Sequence, residues 1–379
     1  MVELKTHRIS SDDDTLYHTS EVKIGFKTIQ TPIKTIDPRF ITSKLDLNIA
    51  VKGVNEIYKV LNENKVKQII TDTNKQAEFN KVLVRLSNKA NTNELNLFNL
   101  EYELSSNRFP SEVFLEYLSD VCHGNSDIIL PPLVKLKLDK KSPYPYDSYK
   151  EFLQAFYEKI DQLNNKPIGG IIPFIPYVYM RDLANFYLNL GITFFCFDFE
   201  GKNPLVLKDN IRTFFRAISQ ETSLADCCFY AINANPGKFG TITPAKDILS
   251  FGFGFDILGN NHRRRAFPAS VAQKIREPKV RLFNKHAYSY HNCLEHEVAN
   301  VYSPDSSIHI DLLKGENKYY GFKKMYNIEQ QGFESLQLRE IIGEEKIMKY
   351  LDSKDNVKDA DKKQIRKIRE DTKFVQKNL

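Results

Sequence analysis

The chain has 379 residues, 41% hydrophobic and 27% charged, enough to bury a large core in one big domain or two smaller ones. Its net charge of +6 permits a polyanionic partner without requiring one. Five cysteines, two of them adjacent (Cys227 and Cys228), make no disulfide framework and predict a reducing, cytoplasmic setting; the opening MVELKTHRISSDDD lacks the apolar centre of a signal peptide, and no apolar run approaches the roughly 20 residues of a membrane span.

Residues 1–20 are polar and predict a frayed segment or an edge element. Residues 20–38 (SEVKIGFKTIQTPIKTIDP) alternate polar and apolar positions around Gly25, predicting a β-hairpin that leads into the body. Val54, Ile57, Val60 and Leu61 predict an amphipathic helix, and KQIITD (67–72) then reads as a short strand with Asp72 at its end. LNLFNLEYEL (95–104) predicts a strand or hairpin. Pro110-Ser111-Glu112 opens a helix with Val113, Phe114, Tyr117, Leu118 and Val121 inward. SDIILPPLVKL (126–136) holds a strand stopped by Pro131 and Pro132. A helix carrying Phe152, Leu153, Phe156, Ile160 and Leu163 then delivers the chain to Gly169.

Residues 169–265 organise the rest. GGIIPFIP (169–176), ITFFCFDFEG (192–201) and CCFYAINANPG (227–237) are short apolar runs bounded by turn residues, with helical patterns between them. Thr243-Pro244 reads as a helix start, and GFDILGNNHRRR (254–265) closes the unit. Such alternation predicts parallel β/α units, about seven by Asn260. Parallel strands gather ligand chemistry at their carboxyl ends, so Asp198, Glu200 and Asp256, with Asp72, are expected on one rim. Residues 266–352 predict a separate segment after this unit, irregular and aromatic at first and helical after Gln331. Residues 353–379 form a tail with nine Lys/Arg against five Asp/Glu, either a solvated helix or disordered tail, or a basic arm on a nucleic acid.

In this order the chain resembles the tRNA-guanine transglycosylase superfamily, which includes the related enzymes that insert 7-deazaguanines into DNA. The landmarks are KTIQTP (27–32), IITDT (69–73), NRFPSEVFLEYLSDVCHGNSDIIL (107–130) and TPAKDILSFGFGFD (243–256), within residues 20–350. The resemblance implies an α/β fold, a TIM (β/α)8 barrel over residues 1–265 with a C-terminal helical extension. It also implies a transferase that exchanges guanine for a 7-deazaguanine-type base in tRNA or DNA, through a carboxylate that attacks the anomeric carbon. The family nucleophile falls at Gly259 and the guanine-reading aspartate near Leu133, so either the chemistry has moved to other carboxylates or the chain no longer exchanges bases.

Asp198 is the first choice of relocated nucleophile, Asp72 of acid or base, with Asp256 and Glu200 as the remaining rim carboxylates. Each has a plainer reading, as a helix cap or an arginine partner. Arg263, Arg264 and Arg265 suit phosphate contact, or else neutralise the acidic rim. The resemblance implies a structural zinc site at His291, Cys293 and His296, with His286 or Glu297 as fourth ligand, unless the metal was lost and hydrogen bonds hold this loop. The rival readings are a non-catalytic nucleic-acid-binding paralogue or subunit and an unrelated barrel enzyme on a small phosphorylated substrate. A membrane partner is not expected; a homo-oligomer is left open.

Overall fold

A computed structural model of the chain describes residues 2–376 except 44, 106–107, 137–144, 164, 238–239, 264–278 and 315–319. The fold is mixed α/β, built on two parallel sheets. One has the order β5 (Val54–Asn62), β6 (Leu95–Glu103), β7 (Leu133–Val134). The other runs β4 (Ile33–Lys34), β12 (Ile257–Leu258), β10 (Cys228–Ile232), β9 (Phe194–Asp198), β8 (Gly170–Ile172). Two isolated parallel bridges, Ile36 to Asn55 and Ile129 to Ile168, join the sheets at both edges. Ile36 N donates to Val54 O at 2.8 Å, and Gly169 N to Ile129 O at 2.9 Å. The Pro131-Pro132 pair interrupts the pairing, which resumes beyond it. Before the prolines Ile129 pairs towards β8; after them Leu133 and Val134 pair with β6.

Helices α1 (Glu63–Thr71), α2 (Thr73–Ser87), α3 (Glu112–Asn125), α4 (Tyr146–Leu163), α5 (Met180–Asn189) and α6 (Lys208–Glu221) connect the strands. They follow from apolar residues at helical spacing: α6 buries Ile211, Phe214, Phe215 and Ile218. Against them pack Phe195, Phe197 and Phe229, with the Phe195 and Phe229 rings 5.6 Å apart. Each such fully buried side chain contributes roughly 1.5–3 kcal/mol. A second apolar cluster lies between the sheets, with Val54, Leu97, Ile171, Phe194, Tyr230 and Ile257. An antiparallel sheet of β1 (Leu4–Ser11), β2 (His18–Ile24) and β3 (Lys27–Thr31) adds Val22, Ile24 and Ile29 to this cluster, and its residues reach Asp256 at the start of β12. That sheet covers the end where the parallel strands begin. The expected hairpin at Gly25 is present, with φ 59° at the turn.

After the strands come the hairpin β13 (Val280–Asn284) and β14 (Ser289–Cys293), joined by β11 (Ile242–Pro244), then α7 (Tyr320–Gly343), α8 (Ile347–Asp352) and α9 (Asp359–Gln376). Helix α7 packs on β4 and β13, and α9 on α6. As far as Gln376 the tail is therefore no free arm: Ile365 and Ile368 are buried, and Arg212 pairs with Asp371 at 3.5 Å.

Three element expectations are corrected. Residues 54–62 are a strand, not a helix, because β5 is buried on both faces and has no two-residue alternation to read. Residues 67–72 belong to α1 and its end, not to a strand. Thr243-Pro244 lies in β11, paired with Tyr290 and Ser289, rather than at a helix start.

Candidate functional site

The parallel strands deliver polar side chains to their carboxyl ends. Lys34 ends β4, Asp198 ends β9, Asn233 follows β10, and Asn260, His262 and Arg263 follow β12; Glu56 and Tyr58 come from β5, Glu101 from β6. These groups form two linked ion-pair systems. In the first, Glu56, wholly buried, accepts from Thr35 Oγ1 at 2.9 Å, Asn260 N at 3.0 Å, the Tyr230 hydroxyl and His262 Nε2. Burial by itself would raise the Glu56 pKa. The hydrogen bond and charge of His262, the Lys34 ammonium and the Tyr230 hydroxyl outweigh burial and hold it at about 2. The Tyr58 ring stacks on His262, centroids 4.0 Å apart and planes 9° apart. In the second, Arg263 binds Asp198 Oδ2 at 2.6 Å and Glu101 Oε1. Asp198 Oδ1 accepts from Asn233 Nδ2 and from Glu200 N, both at 2.9 Å.

Beside these pairs lies a pocket of about 460 Å³, between the ends of β4, β10 and β12 and the β13–β14–α7 unit. Among the described residues its cationic side chains are Lys34, Arg263, Lys279, Arg281, Lys323 and Lys324, and its one carboxylate is Asp247. Lys34 is 2% exposed and donates to Asn260 Oδ1 at 2.8 Å. Burial lowers its pKa to about 8, against the opposing pull of Glu56 and Asp247. A second cleft of about 420 Å³ is lined by Glu200, Lys202, Phe174 and Asn210. Burial, with the neighbouring Asp198 charge, raises the Glu200 carboxyl above its usual range, and its backbone stands in the left-handed region at φ 47°.

The expected rim carboxylates separate. Asp198 and Glu200 are at the rim. Asp72 takes no part in these ion pairs: it caps α2, its carboxylate accepting from Asn74 N at 3.0 Å and Lys75 N at 3.2 Å. Asp256 sits at the opposite end, wholly buried, accepting from His18 Nε2 at 2.7 Å, Thr31 Oγ1 at 2.9 Å and Phe229 N at 2.8 Å. It precedes its strand, so it faces the N-terminal sheet. Arg263 neutralises the acidic rim; Arg264 and Arg265 lie outside the described residues.

The zinc ligands do not fit a metal. Among the described residues no group of three or more His, Cys, Asp or Glu is placed to hold an ion. Cys293 is 4% exposed in an apolar cluster with Val280 and Leu282, whereas His296 and His286 face solvent. His291 Nε2 is 2.9 Å from Ser289 Oγ, and Glu297 accepts from Leu294 N at 2.7 Å.

Sequence reasoning missed Glu56, Glu101, Lys34 and Asp247. A carboxylate inside an apolar strand, as in VNEIYKV and NLEYEL, is the signal that would have found the first two. Asp247, Arg281 and Lys324 meet only through tertiary packing and leave no linear trace.

No family model and no curated protein matches the chain. Among solved structures it is similar to the carboxyl transferase domain of Rhizobium etli pyruvate carboxylase with pyruvate and biocytin. Identity is 11%, the TM-score 0.35, and the match covers 80% of this chain and 48% of that one. With 3-hydroxypyruvate bound, the same domain gives 12%, 0.29, 78% and 50%. The enoyl reductase domain of MlnA from Bacillus amyloliquefaciens gives 9%, 0.19, 72% and 94%. The chain thus spans about half the length of the two carboxyl transferase structures. Likeness at this level says nothing about chemistry.

Proposed function

We propose that the eight parallel segments constitute a (β/α)8 barrel of transglycosylase-like type, and that the chain binds the phosphates of a nucleic-acid strand at its rim. The two bridges between the sheets support the first part. The observation that carries the second is the rim pocket, where Lys34, Lys279, Arg281, Lys323 and Lys324 line a space with one carboxylate, Asp247, among the described residues, while Arg263 is held by Asp198 and Glu101. Lysine and arginine heads on such a pocket suit phosphate oxygens. Phosphate contacts release counterions, so affinity for tRNA or duplex DNA should fall steeply with salt, about tenfold or more between 50 and 200 mM. Filter binding with wild type and a Lys323→Ala/Lys324→Ala variant tests it. The variant should bind more weakly with a shallower salt dependence. Equal binding by both, or none by wild type at low salt, refutes the assignment.

A second reading, base exchange by relocated carboxylates, draws support from Glu200, whose raised pKa and position on a rim cleft suit an acid. Asp198 serves that reading less well, since Arg263 and Asn233 hold both of its oxygens. Incubating tRNA and DNA with labelled guanine and 7-deazaguanine bases separates the two readings: incorporation by wild type and its loss in Glu200→Gln favour exchange, and no incorporation leaves binding alone.

A further inference from the structure

Phosphate binding leaves one group of the rim pocket without a task. Asp247 precedes a 3-10 turn (Ile248–Phe253) and is 6% exposed. Its Oδ2 accepts from the Tyr290 hydroxyl at 2.6 Å and Gln331 Nε2 at 3.3 Å, and Gln331 Nε2 also donates to the Tyr290 oxygen at 2.7 Å. Its Oδ1 is buried with no hydrogen-bond partner among the described residues. An unsatisfied, desolvated carboxylate oxygen is costly, and such atoms concentrate where a ligand completes them. Tyr320 also lines the pocket, 64% exposed, with Lys324 Nζ 5.5 Å from its ring centroid. An exposed ring flanked by cations is a platform for a nucleobase. The volume of about 460 Å³ lies within the roughly 300–1,000 Å³ of small-ligand sites.

We propose that Asp247 Oδ1 is a ligand acceptor, taking an N–H of the base of a nucleotide unit whose phosphate rests on Lys323, Lys324 and Arg281. This rests on the phosphate-binding reading above. The groups that face Asp247 are Lys34 from β4, Arg281 from β13, Tyr290 from β14 and Gln331 from α7. Burial raises its pKa, while the Tyr290 hydrogen bond, the Arg281 charge, its own backbone N–H and the Lys34 charge oppose the rise. An acceptor so placed favours a donor-bearing ligand over bare phosphate.

Calorimetry on the full chain with inorganic phosphate, ribose 5-phosphate and the four nucleoside 5′-monophosphates tests the assignment, using wild type and Asp247→Asn. The amide keeps the volume and leaves its carbonyl for Tyr290 and Gln331, so a donor replaces the Oδ1 acceptor. Affinity for the best-bound nucleotide should fall roughly tenfold or more, with phosphate and ribose 5-phosphate unchanged or tighter. An equal change for all probes, or none, overturns the assignment, as does a wild type that binds no nucleotide better than ribose 5-phosphate. If wild type binds no phosphate compound, the phosphate-binding reading falls first and this one with it. Should Asp247→Asn fail to fold, wild type decides: the preference for GMP or UMP over ribose 5-phosphate should decline as acid protonates Asp247, and a pH-independent ratio overturns the idea.

Discussion

Glu56 occupies the space that a side chain at position 259 would need. A Cβ on Gly259 would stand 2.5 Å from Glu56 Oε2, 2.8 Å from Tyr230 Cε2 and 2.9 Å from the Ala231 carbonyl oxygen. The Ala231 atom is backbone, and Glu56 is fixed by hydrogen bonds from Thr35, Tyr230, Asn260 and His262. Gly259→Asp should therefore fail to restore a nucleophile and should destabilise by more than the roughly 1–3 kcal/mol of ordinary overpacking, because it also sets two carboxylates together. Urea unfolding checks this; a variant within about 0.5 kcal/mol of wild type would contradict it.

Removing the Glu56 charge should cost roughly 3–5 kcal/mol, as expected when one partner of a buried ion pair is lost. The Glu56 pKa drops from its ordinary 4.5 to about 2 on folding. Its contribution is thus complete above about pH 4.5 and disappears as pH falls towards 2. The stability difference between wild type and Glu56→Gln, measured by denaturant titration from pH 7 to 2.5, should shrink across that interval.

Lys34 behaves in the opposite sense. Its pKa falls from 10.5 to about 8 on folding, so between those values the unfolded chain holds more protons and stability from this residue rises with pH. Lys34→Met should remove that rise between pH 8 and 10. The same variant should weaken inorganic phosphate several-fold at pH 7 and differ little from wild type at pH 9.5, where Lys34 has lost its proton. Calorimetry at the two pH values is the measurement.

Asp256→Asn should separate stability from binding. Burial raises the Asp256 pKa, but His18 and Arg8 together bring it below the ordinary value, which makes the carboxylate a structural anion. Its loss should cost roughly 3–5 kcal/mol with nucleic-acid affinity unchanged, because it lies at the end of the strands away from the rim. A fall in affinity for the folded variant would contradict this.

Chelation should leave the unfolding midpoint where it was. Cys293 packs among apolar side chains, so Cys293→Ala should cost about 1 kcal/mol with or without chelator. Differential scanning calorimetry in EDTA and in added zinc gives the comparison.

Local chemistry determined much of the architecture. The hairpin at Gly25, the helix opened by Ser111 and Glu112, the aromatic face of α6 and the strand–helix alternation after Gly169 are all written in spacing over a few residues. Asp198 and Glu200 were legible for the same reason, as acids closing an apolar strand. The swap of strand and helix over residues 54–72 shows where that legibility stops: a strand buried on both faces carries no alternation, and its β-branched residues fall at helical spacing by chance. The pairings that make the site were decided only when the sheets met. Arg263 finds Glu101 across 162 positions, and His262 finds Glu56 across 206. Contacts of that range depend on strand register and on how one sheet edge meets the other, and no spacing along the chain encodes either.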